Sequence, residues 1–138
     1  VAVLLLVLFL AAVALLIALG RAERARRRAA AATVSLVVDS WGVKRTLADG
    51  RYEEVSWAEL QEVRAITLPR GPWDDRVRLV LDGGGERGCI VPSDVAGEHG
   101  LVEALGALAG FDHRALAEAL ESTRTGSRVL WQRAPSSA

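Results

Sequence analysis

The first twenty residues, VAVLLLVLFLAAVALLIALG, carry no charge and no hydrogen-bonding side chain. Fourteen are Val, Leu, Ile or Phe, five are Ala and one is Gly. As a helix, a run of this length spans ~30 Å, the thickness of a bilayer hydrocarbon core. Lipid offers no partner for an unpaired backbone N–H or C=O, so a helix is the form the run must take there. At roughly −0.3 to −0.6 kcal/mol for each large apolar residue near the membrane centre, insertion is favoured by several kcal/mol. A core helix of a soluble protein would show a polar face. A signal peptide would have a basic stretch before a shorter apolar run and a small-x-small site after it. Here the run is longer, no basic residue precedes it, and Arg21 follows it. Residues 1–20 are therefore read as a single transmembrane helix.

Direction comes from the flank. Residues 21–28 hold Arg21, Arg24, Arg26, Arg27 and Arg28 against one acid, Glu23. A basic cluster at a helix end resists translocation, which predicts a cell-membrane protein whose C-terminal domain is cytoplasmic. The same five arginines form the expected membrane-interface site, because juxtamembrane Arg attracts anionic lipid head groups at ~1 kcal/mol each. Residues 21–32 are read as a basic juxtamembrane linker, continuing as helix or serving as a short connection. From residue 29 onward the chain has 12 basic and 16 acidic side chains. An acidic domain behind a basic collar argues against nucleic acid, since phosphate binding needs basic groups on the folded surface. One cysteine, Cys89, excludes an internal disulfide framework and any multi-Cys metal site. Methionine is absent, even at position 1. The expectation is a start upstream of Val1 or a non-standard initiation codon.

Residues 33–133 read as one α+β domain, and 134–138 as a disordered tail. TVSLVVD (33–39) is a β-branched strand, and WGVKRTL (41–47) alternates Trp41, Val43, Arg45 and Leu47 on one side. Asp49-Gly50 is a hairpin signal, because Gly tolerates positive φ. YEEVSW (52–57) returns with Val55 and Trp57 inward, and Trp57 to Leu60 form one helical turn. QEVRAITL (61–68) resumes alternation through Val63, Ala65 and Thr67. After the break at Pro69-Arg-Gly-Pro72, RVRLVLD (76–82) and ERGCIVP (86–92) form a hairpin around Gly83-Gly-Gly85. Connections this short leave no room for crossover helices, so the sheet is antiparallel. Leu101, Val102, Leu105 and Leu108 then follow helical spacing, with Gly110 as the expected C′ residue. Asp112 caps the next helix, Phe111 staples onto Leu116, and SRVLWQ (127–132) is a last strand.

The order of these features resembles small single-pass membrane proteins of actinobacteria that carry a pleckstrin-homology-like (PH-like) domain. The residues that carry the likeness are the apolar run with its Arg collar, Asp49-Gly50, and Val55-Ser-Trp57-Ala-Glu-Leu60. Further on they are Gly71-Pro72-Trp73-Asp-Asp75, Gly88-Cys-Ile-Val-Pro92, Gly110-Phe-Asp112, Glu121-Ser-Thr123 and Trp131. Leu108-Ala-Gly-Phe-Asp112 stands where the family pattern has Leu-Pro-Gly-Phe-Asp. The resemblance implies a PH-like antiparallel sheet or barrel with C-terminal helices behind a transmembrane helix. It implies no named activity, and such folds host many functions.

Side chains with chemistry are few. Cys89, Asp94 and His99 lie within eleven residues, but Cys89 falls in an apolar Cys-Ile-Val run, where a thiol acts as a small buried hydrophobe. His99 and His113 lack further ligands at metal spacing. Asp82-Gly-Gly-Gly-Glu-Arg-Gly88 lacks the Lys-Ser/Thr of a phosphate loop and reads as a hairpin. Glu53, Glu54, Glu59 and Glu62 read as a solvated face. Of the four tryptophans, Trp41 and Trp57 are expected in the core, with Trp131 closing it. Trp73, on a Pro- and Asp-flanked turn, is either folded over the core edge or an exposed partner contact. The expectation is a non-enzymatic protein without cofactor or metal. It presents a cytosolic PH-like interaction domain, a scaffold or regulatory module, to a protein partner at the inner leaflet. The alternatives are a structural subunit of a membrane complex and a hydrolase using Cys89.

Overall fold

The computed structural model describes residues 1–69 and 76–135, and of residues 25 and 27–31 the helical backbone alone. The chain divides into two compact units, Val1–Ala32 and Thr33–Ala138. The first is one helix, α1 (Ala2–Ala31), which runs through the apolar segment and the basic flank without a break. An Ala- and Arg-rich stretch has strong intrinsic helix propensity, so nothing in residues 21–31 stops the helix begun before them.

The second unit is α+β. Its elements are β1 (Thr33–Val38), β2 (Gly42–Leu47), β3 (Tyr52–Ser56), β4 (Glu62–Thr67), β5 (Val77–Asp82) and β6 (Gly88–Pro92). Then come α2 (Ser93–Glu98), α3 (Leu101–Gly106), α4 (His113–Glu121) and β7 (Gly126–Gln132). The strands form two antiparallel sheets, β1-β2-β3 and β6-β5-β4-β7. The sheets part at a single tight turn. Ser56 and Glu59 cap it reciprocally: the Ser56 hydroxyl donates to Glu59 Oε1 at 2.9 Å, and Glu59 N donates back to Ser56 Oγ at 3.1 Å. Leu60 N closes the turn on Ser56 O. Arg133, just past β7, donates to the carbonyls of Leu60, Trp57 and Ala58, tying the C-terminal end of the domain to that turn.

Alternation places the core between the sheets. Val43, Val55, Val63, Leu79, Leu81 and Val91 are fully buried, and α2 to α4 add Ala96, Leu101, Leu105 and Leu116 to the same cluster. α2 packs on β1, β5 and β6, and α4 on β4 and β7. Gly42 is required where β2 meets β3: a Cβ there would strike the Val55 carbonyl and lie 2.6 Å from Ser56 Cα. Asp112 caps α4 by accepting from Ala115 N at 2.9 Å, and Phe111 and Leu116 both join the core, as the sequence predicts.

Four sequence expectations need correction. Trp41 is 49% exposed rather than in the core. Asp39 Oδ1 accepts from Trp41 N and Gly42 N, so the chain turns there and strand alternation starts only at Gly42. α2 was not anticipated, because Gly97 and Gly100 interrupt its periodic signal; Gly100, at φ 78°, is the break between α2 and α3. α3 ends at Gly106, ahead of Gly110, with the tip of the exposed His113 ring 2.9 Å from where a Cβ at Gly106 would lie. Glu53 and Glu54 are half-buried and ion-paired rather than a solvated face.

Candidate functional site

α1 carries the most exposed apolar surface of the described residues. Its Leu and Val side chains are typically more than half exposed, and no part of its most apolar window is buried in the protein. The segment Ala2–Arg24 is long and apolar enough to cross a membrane, the sole such helix among the described residues. A core helix would be covered by its own protein, and this one is not. A signal sequence near an N-terminus meets the same criteria of length and composition. Of the expected interface arginines, Arg21, Arg24 and Arg26 are exposed on this helix. Arg27 and Arg28 lie on its backbone, with side chains outside the described residues. Trp73 also falls outside the described residues.

In the domain, a groove of about 410 Å³ is lined by Glu53, Glu62, Arg64, Arg87 and Cys89 among others. Four of its charged side chains, Glu53, Glu62, Arg64 and Arg87, are ion-paired. Arg45, only 7% exposed, donates from Nη1 to Glu53 Oε1 at 3.0 Å and from Nε to Thr33 Oγ1 at 2.6 Å. The same Glu53 oxygen accepts from Ile90 N at 3.1 Å, so one carboxylate joins β2 and β3 to β6 across the gap between sheets. Arg64 pairs with Glu62 at 2.8 Å, and Arg87 pairs with Glu54 at 3.1 Å and Glu59 at 3.5 Å. Of these, the Glu53–Ile90 and Arg87–Glu54 contacts bridge the two sheets, whereas Arg64–Glu62 lies within β4.

Cys89 sits at the floor of this groove, 1% exposed, with its thiol donating to the Glu53 carbonyl at 3.5 Å. Burial, reinforced by the Glu53 charge, pushes the thiol up to about 12, so it is protonated at neutral pH and lacks the thiolate a nucleophile needs. The other two members of the sequence trio are spent on α2: Asp94 accepts from Val95 N, and His99 Nδ1 lies 3.0 Å from Val95 O. His113 stacks edge-on to Phe111 at 5.1 Å. Among the described residues no group of three or more His, Cys, Asp and Glu could hold a metal ion. The Gly83–Gly85 segment is a hairpin turn, with Asp82 accepting from Gly84 N and positive φ at Gly84 and Gly85.

The tryptophans sort by the fate of their N–H groups. Trp57 donates to Asp39 O at 2.8 Å, and Trp131 to Ala109 O at 2.9 Å, each pinning a loop to the core edge. Trp41 instead lies on the outer face of the first sheet. There it lines a shallow dish of about 200 Å³ with Val37, Lys44 and Glu54. Sequence reading missed this face, because parity alone assigns Trp41 to the core; the Asp39-Ser-Trp-Gly42 turn was the available signal.

The class that fold and surface define is an α+β chain with an exposed apolar N-terminal helix. Comparison with known proteins finds no matching family model, no similar curated protein and no similar solved structure.

Proposed function

We propose that this chain is a single-pass membrane protein that displays a small cytosolic interaction domain at the inner leaflet. The observation that carries the reading is the contrast between a wholly uncovered apolar helix and a domain that completes its core without it. Removing ~20 apolar residues from water needs a partner of matching length, and a bilayer supplies one. Arg21, Arg24, Arg26, Arg27 and Arg28 support the cytoplasmic direction, by resisting translocation and attracting anionic head groups. The domain is read as PH-like, in keeping with its two antiparallel sheets and its helices, and its role as binding rather than catalysis. That role is supported by a protonated, buried Cys89 and by groove charges already paired internally. Its expected partner is a protein.

A topology reporter tests the orientation. A fusion after Ala138 is expected to be active when the reporter works only in the cytoplasm, and silent when it works only outside. The opposite pattern would overturn the cytosolic assignment. Recovery of a defined larger assembly in mild detergent would instead favour a structural subunit of a membrane complex.

A further inference from the structure

The outer face of the β1-β2-β3 sheet sets exposed apolar side chains among the polar Ser35, Lys44, Thr46 and Glu54. Val37 and Tyr52 are 48% and 59% exposed on it, Trp41 stands beside Val37, and Val34 is exposed at the irregular start of β1. Lys44 sits among them, with its ammonium 4.5 Å from the centre of the Tyr52 ring. A Trp, a Tyr, valines and a snorkelling Lys are the side chains suited to the boundary between head groups and acyl chains. Trp, Tyr and Lys each offer an apolar body and a polar tip, and the valines add apolar surface beside them. The outer face of the other sheet also exposes Ile90 and Val129, but no aromatic joins them and nothing in the structure shows what covers them.

The chain itself restricts what can meet the first face. Ala32 alone separates α1 from β1. The part of α1 beyond the apolar run, residues 21–31, advances only about 16 Å. A head-group layer takes up ~5–7 Å of that on each side of the hydrocarbon core. With α1 in the bilayer, the strand bearing Val34 and Val37 starts within about 10 Å of the head groups, so the domain stays in reach of them.

We infer that this face, centred on Trp41 and Tyr52, rests in the head-group layer of the same bilayer that α1 crosses. The inference depends on the membrane reading proposed above. Its occupant is lipid. Charge on the face is balanced, Lys44 lying across the strand pairing from Glu54, so contact does not require an anionic lipid.

The test uses the full chain in liposomes of phosphatidylcholine, with or without acyl-brominated phosphatidylcholine, which quenches indole emission at short range. Wild type is compared with Trp41→Phe, a change on an exposed turn that leaves the core intact. The expected result is that the emission removed by Trp41→Phe is strongly quenched by brominated lipid, and that this difference disappears between the two proteins once it is quenched. A Trp41 component unaffected by brominated lipid, in protein that floats with the liposomes and resists alkaline wash, would overturn the inference while leaving the anchor standing. The same lack of quenching with a cross-linked pair through this face would give it to a second copy and equally overturn the inference. Protein that does not float with the liposomes at all would overturn the membrane reading, and this inference with it.

Discussion

α1 and the domain are built from the same apolar vocabulary, yet they use it in opposite ways. Leu8 in α1 is 57% exposed, whereas Leu79 in β5 is 0% exposed. In the domain, side chains alternate between two faces, Val77, Leu79 and Leu81 facing the core while Arg78, Val80 and Asp82 face away from it, and the alternation decides which side is buried. In α1 apolar residues occur at every position through Leu19, so no face is distinguished, and none of its most apolar window is buried in the protein. A periodic pattern is solved by folding, and an aperiodic one needs a different solvent. That difference is why the fold and the location of this chain are separable statements.

The comparison breaks most visibly if the two kinds of leucine respond alike. Leu79→Ala should destabilise the domain by ~2–5 kcal/mol through lost burial and a residual cavity. For a domain near 100 residues this lowers the melting temperature by ~10 °C or more. Leu8→Ala should leave the melt of the domain in detergent unchanged. Equal losses from the two substitutions would mean that α1 is part of the folded core. Next in size is Gly42→Ala, which forces a methyl into the Val55–Ser56 backbone and should cost ~1–3 kcal/mol in the same melt.

Cys89 sharpens the view of the groove. Iodoacetamide at pH 8 should modify it only after denaturation, as mass spectrometry would show; labelling of the folded protein at a free-thiol rate would restore the nucleophile reading. Its titration has a definite sign. The thiol lies above its usual 9.0 in the folded state, so its contribution to stability is intact below pH 9 and declines as pH rises towards about 12. Cys89→Ala should therefore flatten the alkaline limb of the stability profile. The smallest effect concerns Glu59, whose carboxyl is held below 4.5 by hydrogen bonds from Ser56. The stability it contributes is present above that value and fades as pH falls through the folded one. Glu59→Gln should lower stability slightly at pH 7 and converge with wild type in acid, where Glu59 is protonated; an equal loss at both pH values would show that the Ser56–Glu59 turn does not depend on the charge.

Much of this architecture is written in local patterns. The alternation around Val43, Val55, Val63 and Leu79 locates the strands, and Asp112 with Phe111 and Leu116 marks the start of α4. What stays hidden depends on distant partners or on a single turn. Arg45 shares a parity with Val43 and Leu47, and its burial makes sense only once Glu53 and Thr33 are seen to meet it across strands. The parting of the two sheets follows from the Ser56–Glu59 turn and from Arg133, which reaches it from 73 residues away in sequence. Trp41 lost its expected place to an Asp39 side chain two residues earlier. The surface that now suggests lipid contact was legible as residues and illegible as a face.

The central claim, that residues 1–20 remain in the protein as a membrane anchor, is tested most directly by washing membranes at alkaline pH and measuring the intact mass of what stays behind. The chain is expected in the pellet with its apolar segment attached. A soluble product shortened by the loss of that segment would contradict it, and would make α1 a signal sequence.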